Sequence, residues 1–187
     1  MKLTERASTR DKERTRRAIL DAAERTFSER GANVSLGDIA TGAGITKGGL
    51  MHHFPSREAL VYGVIEHSIS RMWEEVHANI DLSENRPGKF ARGYVRALTG
   101  DSDYLTNVFN PTALMAVLGN TPEVEELYRR DAEKWTAAFT ADGLPTPKML
   151  VIRYAAEGLA MAQPSQYLTN EDLTLTRAEL LALTEVS

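Results

Sequence analysis

Apolar residues recur along this chain at intervals of three and four, and nowhere do they alternate strictly, so the pattern predicts helices and no strands. The first stripe is Ala18, Ile19, Ala22, Ala23 and Phe27. It belongs to a helix capped by Ser8 or Thr9 and stopped after Arg30 by Gly31, and the residues before it read as a flexible arm. A short helix follows Ser35, with Asp38 in its first turn and Ile39 and Ala40 facing inward, and Gly42-Ala43-Gly44 ends it. Thr46 caps the next helix. At about 100° per residue its inward positions are Leu50, His53 and Phe54, which leaves Gly48, Met51 and His52 outward with Lys47 at the flank. Two short helices across a tight glycine-bearing turn are the pattern of a helix-turn-helix.

A much longer stripe comes next: Leu60, Val61, Val64, Ile65, Ile69, Met72, Trp73 and Val76. From a Ser56 cap to about Asn79 this helix extends roughly 30 Å or more, a lever belonging to both parts of the chain. The polar, turn-forming segment 81–88 closes it. Further helices are predicted over Phe90–Leu98 and over Ser102–Leu118, the latter broken at Asn110-Pro111. Another starts at Thr121-Pro122 and ends before Gly143, and two more run from Pro147 to about Gln163 and from Asn170 to about Val186. The fold class is therefore all-α with about nine helices. An amino-terminal arm and three-helix domain occupy residues 1–56, and a second helical part occupies 57–187.

Charge sharpens this division. The net charge of −4 argues weakly against a nucleic-acid partner until it is split: residues 1–60 carry 11 basic and 8 acidic side chains, whereas 61–187 carry 11 and 18. Residues 1–17 alone hold 7 basic against 3 acidic, a cationic approach to the first helix. Cysteine is absent, which excludes a disulfide framework and thiolate metal sites. No apolar run approaches the roughly 18 residues that span a bilayer, so a soluble, cytoplasmic protein without a membrane partner is expected.

The residues Ile39-Ala40-x-x-Ala43-Gly44-Ile45 and Leu50-x-x-His53-Phe54-Pro55-Ser56-Arg57-Glu58-x-Leu60, with the helix before them, resemble the TetR family of one-component transcriptional regulators. The family usually has an aromatic where Met51 stands, and often tyrosine or arginine where His52 stands. A weaker likeness continues in Ala155-Ala156-Glu157-Gly158-Leu159. The resemblance implies a carboxy-terminal ligand-binding bundle whose last two helices pair with those of a second subunit. Ala155, Gly158 and Ala162 leave room for close approach, and the last helix is leucine-rich. A homodimer reading double-stranded, palindromic operator DNA and answering to a small apolar or amphipathic effector is the expected regulator. A repressor is the first reading, and an activator of the same fold remains open.

Phosphate contacts supply most DNA affinity. Candidates are Lys47, Arg57, Ser35 and Thr46 at helix starts, and Arg10, Lys12, Arg14 and Arg17 of the amino-terminal segment. For base edges, Lys47 suits guanine, Met51 a thymine methyl, and His52 a base edge or phosphate. Gly48 and Gly49 each cost a helix interior roughly 1 kcal/mol relative to alanine. Close approach of the backbone to the groove explains Gly48, and packing against the preceding helix is the alternative for Gly49. His53 reads as a core histidine. The pair His52-His53 diverges by about 100° and makes a poor metal site, and Asp101-Ser-Asp103 lacks the glycine and glutamate of a calcium loop, so neither metal nor cofactor is expected. Effector-lining candidates are Trp73, Phe90, Tyr94, Phe109, Met115, Trp135, Phe139, Tyr154 and Met161, each of which also reads as ordinary core. A helical carrier or enzyme is the competing class, but no nucleophile with a base, phosphate loop or metal-spaced cluster supports catalysis.

Overall fold

Eight helices and no strand are found among the residues that the computed structural model describes, which are 2–31, 33–100, 102, 104–105, 121–163 and 165–185. They are α1 (Lys2–Arg30), α2 (Leu36–Gly42), α3 (Lys47–His53), α4 (Arg57–Ala78), α5 (Lys89–Leu98), α6 (Pro122–Ala141), α7 (Thr146–Ala162) and α8 (Asn170–Leu183). The expected break at Asn110-Pro111 lies outside the described residues, as do Phe109, Met115, Asp101 and Asp103. One expectation is corrected at the amino terminus. The segment read as a flexible arm is helical from Lys2, because residues 2–17 contain no glycine or proline and are rich in lysine, arginine, glutamate and alanine, which extend a helix once it has nucleated.

The described residues form two compact units, one comprising the chain up to Ser68 with 121–125, the other running from Ile69 and again from Glu126. Their division falls inside α4.

In the first unit, Ile19, Leu20, Ala23 and Phe27 of α1 meet Ile39 and Ala40 of α2, Leu50 of α3, Phe54, and Leu60 and Val64 of α4 in one core. The turn between α2 and α3 is closed by Gly44, whose φ of +68° suits a residue without Cβ, and by Ile45 N–H donating to Ala40 O at 3.0 Å. Gly63 lets α4 pass over Phe54. A Cβ at this position would stand 2.8 Å from the ring's Cε1 and 3.2 Å from Leu20 Cδ2.

In the second unit α5 is central, with Ala91, Arg92, Gly93, Tyr94, Val95, Ala97 and Leu98 all buried, as a helix covered on nearly every side must be. Two of the amides at its start are satisfied from a distant turn: Asp142 accepts from Phe90 N at 2.7 Å and Ala91 N at 2.9 Å. Arg92 is 2% exposed and fully engaged. Its Nε donates to Glu84 Oε2 at 2.5 Å, and its Nη1 to Pro87 O, Thr184 O and Thr184 Oγ1 at 3.1, 3.2 and 3.3 Å. This guanidinium joins the loop before α5 to the end of α8.

Candidate functional site

Two local caps shape the α2–α3 pair. Ser35 Oγ accepts from Asp38 N at 3.2 Å, while the Asp38 carboxylate accepts from Ser35 Oγ at 2.6 Å and Ser35 N at 3.2 Å, a reciprocal capping box. These bonds, the Ser35 hydroxyl's first, hold the Asp38 carboxyl below its usual range. Thr46 Oγ1 accepts from Gly49 N at 3.1 Å and so starts α3. The hydroxyls of Ser35 and Thr46 therefore act as caps, in the positions expected from sequence.

Leu50 and Phe54 are sealed in the core, which turns Lys47, Gly48 and His52 outward. Met51 is half-buried at the edge of that surface. Lys47 makes no ion pair among the described residues. Among the described residues a Cβ on Gly48 would meet nothing nearer than Thr46 Oγ1 at 3.9 Å, so their packing gives no reason for glycine there. At Gly49 the same oxygen stands at 3.4 Å and Ile45 Cβ at 3.9 Å, so its close neighbour is the turn and not the preceding helix.

His53 is half-buried, less enclosed than a core histidine. Burial, followed by the charges of His52, Arg16 and Lys12, pushes its imidazole below the ordinary value and favours the neutral form. Arg10, Lys12, Arg14 and Arg17 project from α1, with Arg14 Nη2 3.2 Å from Asp11 Oδ1. Arg16 was missed by the sequence reading. Its guanidinium lies 4.2 Å from the Phe54 ring centroid, with Nη1 3.5 Å from His53 O, so it braces the end of α3 against α1. Arg57, expected from sequence as a phosphate contact, has a role in the scaffold: its Nη1 donates to Val34 O at 2.6 Å and it sits 5.4 Å from the Phe27 centroid.

In the second unit, five effector candidates form one aromatic cluster. Trp73 and Trp135 are stacked with centroids 3.8 Å apart and planes 15° from parallel, and Phe90, Tyr94 and Phe139 meet Trp135 at 5.4–6.3 Å. Asp131, which the sequence did not single out, ties the indoles together, accepting from Trp73 Nε1 at 2.8 Å and Trp135 Nε1 at 3.0 Å. Tyr94 Oη donates to Glu157 Oε1 at 2.8 Å, and Arg153 Nε reaches the same oxygen at 3.0 Å. Burial, then the Glu157 charge and hydrogen bond, pushes the Tyr94 phenol upward, so it stays protonated.

Residues 88–185 match the family model described as Tetracyclin repressor-like, C-terminal domain, and residues 19–63 match Bacterial regulatory proteins, tetR family. The chain belongs to the TetR family. Members of this family are transcriptional regulators, not enzymes. The chain is 34% identical over 97 residues to the HTH-type transcriptional regulator AcrR of Shigella flexneri, a match covering 51% of this chain and 38% of that protein. It spans well under half the length of the curated relatives it matches. Among solved structures, a transcriptional regulator from Rhodococcus sp. Rha1 superposes with a TM-score of 0.66 at 20% identity, covering 92% of this chain and 95% of that one. The multidrug binding protein EbrR complexed with imidazole gives 0.59 at 24% identity, covering 92% and 90%. At these identities both report the fold.

Tyr154 and Met161 are corrected within this TetR-family chain. They do not line the bundle interior: they are 60% and 52% exposed on α7, beside Leu150 and Val151. The cause is that α7 is apolar on two faces. Met149, Ile152, Ala156 and Ala160 pack inward at helical spacing, leaving the other stripe uncovered by the described residues. Gly158 lies on the same outer surface with nothing within 4 Å of a Cβ, and Leu175 of α8 is 63% exposed. No helix among the described residues is long and apolar enough to cross a membrane.

Proposed function

We propose that this protein is a ligand-responsive transcriptional repressor that binds a palindromic operator as a homodimer and is released by a small apolar or amphipathic effector. The observation carrying this reading is the outward turn of α3, where Lys47, Gly48 and His52 are exposed on a helix seated by Leu50 and Phe54. A dimer of such heads presents two recognition helices about 34–36 Å apart, one turn of duplex, so the operator is an inverted repeat. Dimerisation through α7 and α8 is supported by the exposed Val151, Tyr154, Met161 and Leu175 and by open space at Gly158. The aromatic cluster around Trp73 and Trp135 supports an aromatic or apolar effector, and so does the likeness in fold to EbrR, a multidrug binding protein complexed with imidazole. Such an effector weakens DNA binding by the ratio of its affinities for the free and DNA-bound conformations.

Selection from random-sequence DNA with the purified full chain tests the proposal. Enrichment of an inverted repeat with half-sites one helical turn apart is the expected outcome. Recovery of sequences without any shared pattern would remove the regulator reading in favour of a carrier.

A further inference from the structure

We propose that Asp21, Glu24 and His67 form a binding site for a divalent transition-metal ion between α1 and α4. Asp21 and Glu24 are three residues apart on α1 and so share one face, and α4 brings His67 to them across 46 residues of sequence. One donor atom from each residue lies within 4.8 Å of both others, and His67 Nε2 and Asp21 Oδ1 are already 2.7 Å apart. An ion held tetrahedrally about 2.0–2.2 Å from each donor sets the donors about 3.3–3.6 Å apart, so binding requires the Nε2–Oδ1 contact to open and all three donors to settle at that separation.

The chemistry of the set selects the class of ion. Two carboxylates supply the negative charge that a divalent cation requires, and one of them, Glu24, is only 2% exposed. An imidazole favours zinc, iron or nickel over magnesium and calcium, which prefer oxygen alone. Ligation through Nε2 calls for the tautomer of His67 that carries its proton on Nδ1. Ser68 Oγ donates to Glu24 Oε1 at 2.5 Å, an outer hydrogen bond of the kind that orients a ligating carboxylate. Asp21 is 30% exposed, which leaves a route for the ion and for the water that completes its coordination.

The test uses the full chain, stripped with chelator, moved to chelator-free buffer and titrated with zinc chloride in the absence of DNA, so its outcome is independent of operator binding. One ion per chain by calorimetry is expected, with a thermal midpoint raised by about 5–10 °C at a hundredfold excess over the dissociation constant. Magnesium chloride should give no shift. Asp21→Asn, which keeps size and the hydrogen bond to the ring, and His67→Gln should both abolish the zinc effect while retaining helical circular dichroism. If His67→Gln does not fold, Asp21→Asn decides. No zinc effect on the native chain, or an equal effect on Asp21→Asn, would overturn the site and leave these contacts as a polar clasp between helices.

Discussion

Arg57 and Val34 are joined by a 2.6 Å hydrogen bond from the guanidinium Nη1 to the backbone carbonyl, across 23 residues of chain. The bond satisfies a carbonyl of the loop entering α2, while the Val34 side chain, 6% exposed, sits in the core of the first unit. Arg57→Lys keeps the charge but loses the planar fork and its place beside Phe27. The expected loss is about 1–2 kcal/mol of stability, read as a lower urea midpoint at unchanged slope. A midpoint equal to that of the native chain would show that the Arg57–Val34 bond adds nothing to stability.

Lys47 and Gly48 separate affinity from stability. Lys47→Ala should weaken binding to all DNA sequences alike and reduce the slope of log affinity against log salt by about 1, without moving the thermal midpoint. Gly48→Ala has room, its nearest non-local atom being 3.9 Å away, and should stabilise α3 by up to about 1 kcal/mol. Its operator affinity should nonetheless fall if, as proposed, α3 enters the groove and the added methyl meets the groove wall. A variant both more stable and equally tight on DNA would eliminate that approach.

Acid should loosen the second unit through Glu84. Burial opposes ionisation of this carboxylate, but hydrogen bonds and charge from Arg92, then Arg96, outweigh it and hold the group below its ordinary value. A carboxylate depressed in the folded state contributes stability that is present above its unfolded value, about 4.3, and is lost as pH falls through the folded one. Denaturant midpoints should therefore drop between pH 5 and 3, and Glu84→Gln should flatten that drop. Parallel curves for the two proteins would assign the acid sensitivity elsewhere.

Tyr154→Glu places a charge on the outer stripe of α7, where the native ring is 60% exposed in the single chain. Sedimentation should show a dimer for the native protein and a monomer for the variant, with operator affinity lost in parallel and the helical spectrum retained. A variant that stays dimeric would move the subunit contact away from this face.

The caps at Ser35 and Thr46 were legible because a cap is a relation between residues three apart, and the core positions Leu50 and Phe54 because helical period alone places them. Arg57, Asp131, Asp142 and Arg92 were not, since each is defined by partners far along the chain that no local pattern announces. Tyr154 and Met161 failed for another reason. Periodicity finds an apolar stripe but does not say what covers it, and α7 carries two such stripes. The start of α1 was placed late because residues 2–9 carry no periodic apolar stripe, although their composition favours a helix.

The chain contains two tryptophans, and they are the stacked pair held by Asp131. Indole emission of the molecule therefore originates at one spot in the second unit. Titration with a small molecule can be followed there without an engineered label, whereas events at α3 are optically dark and need an added fluorophore.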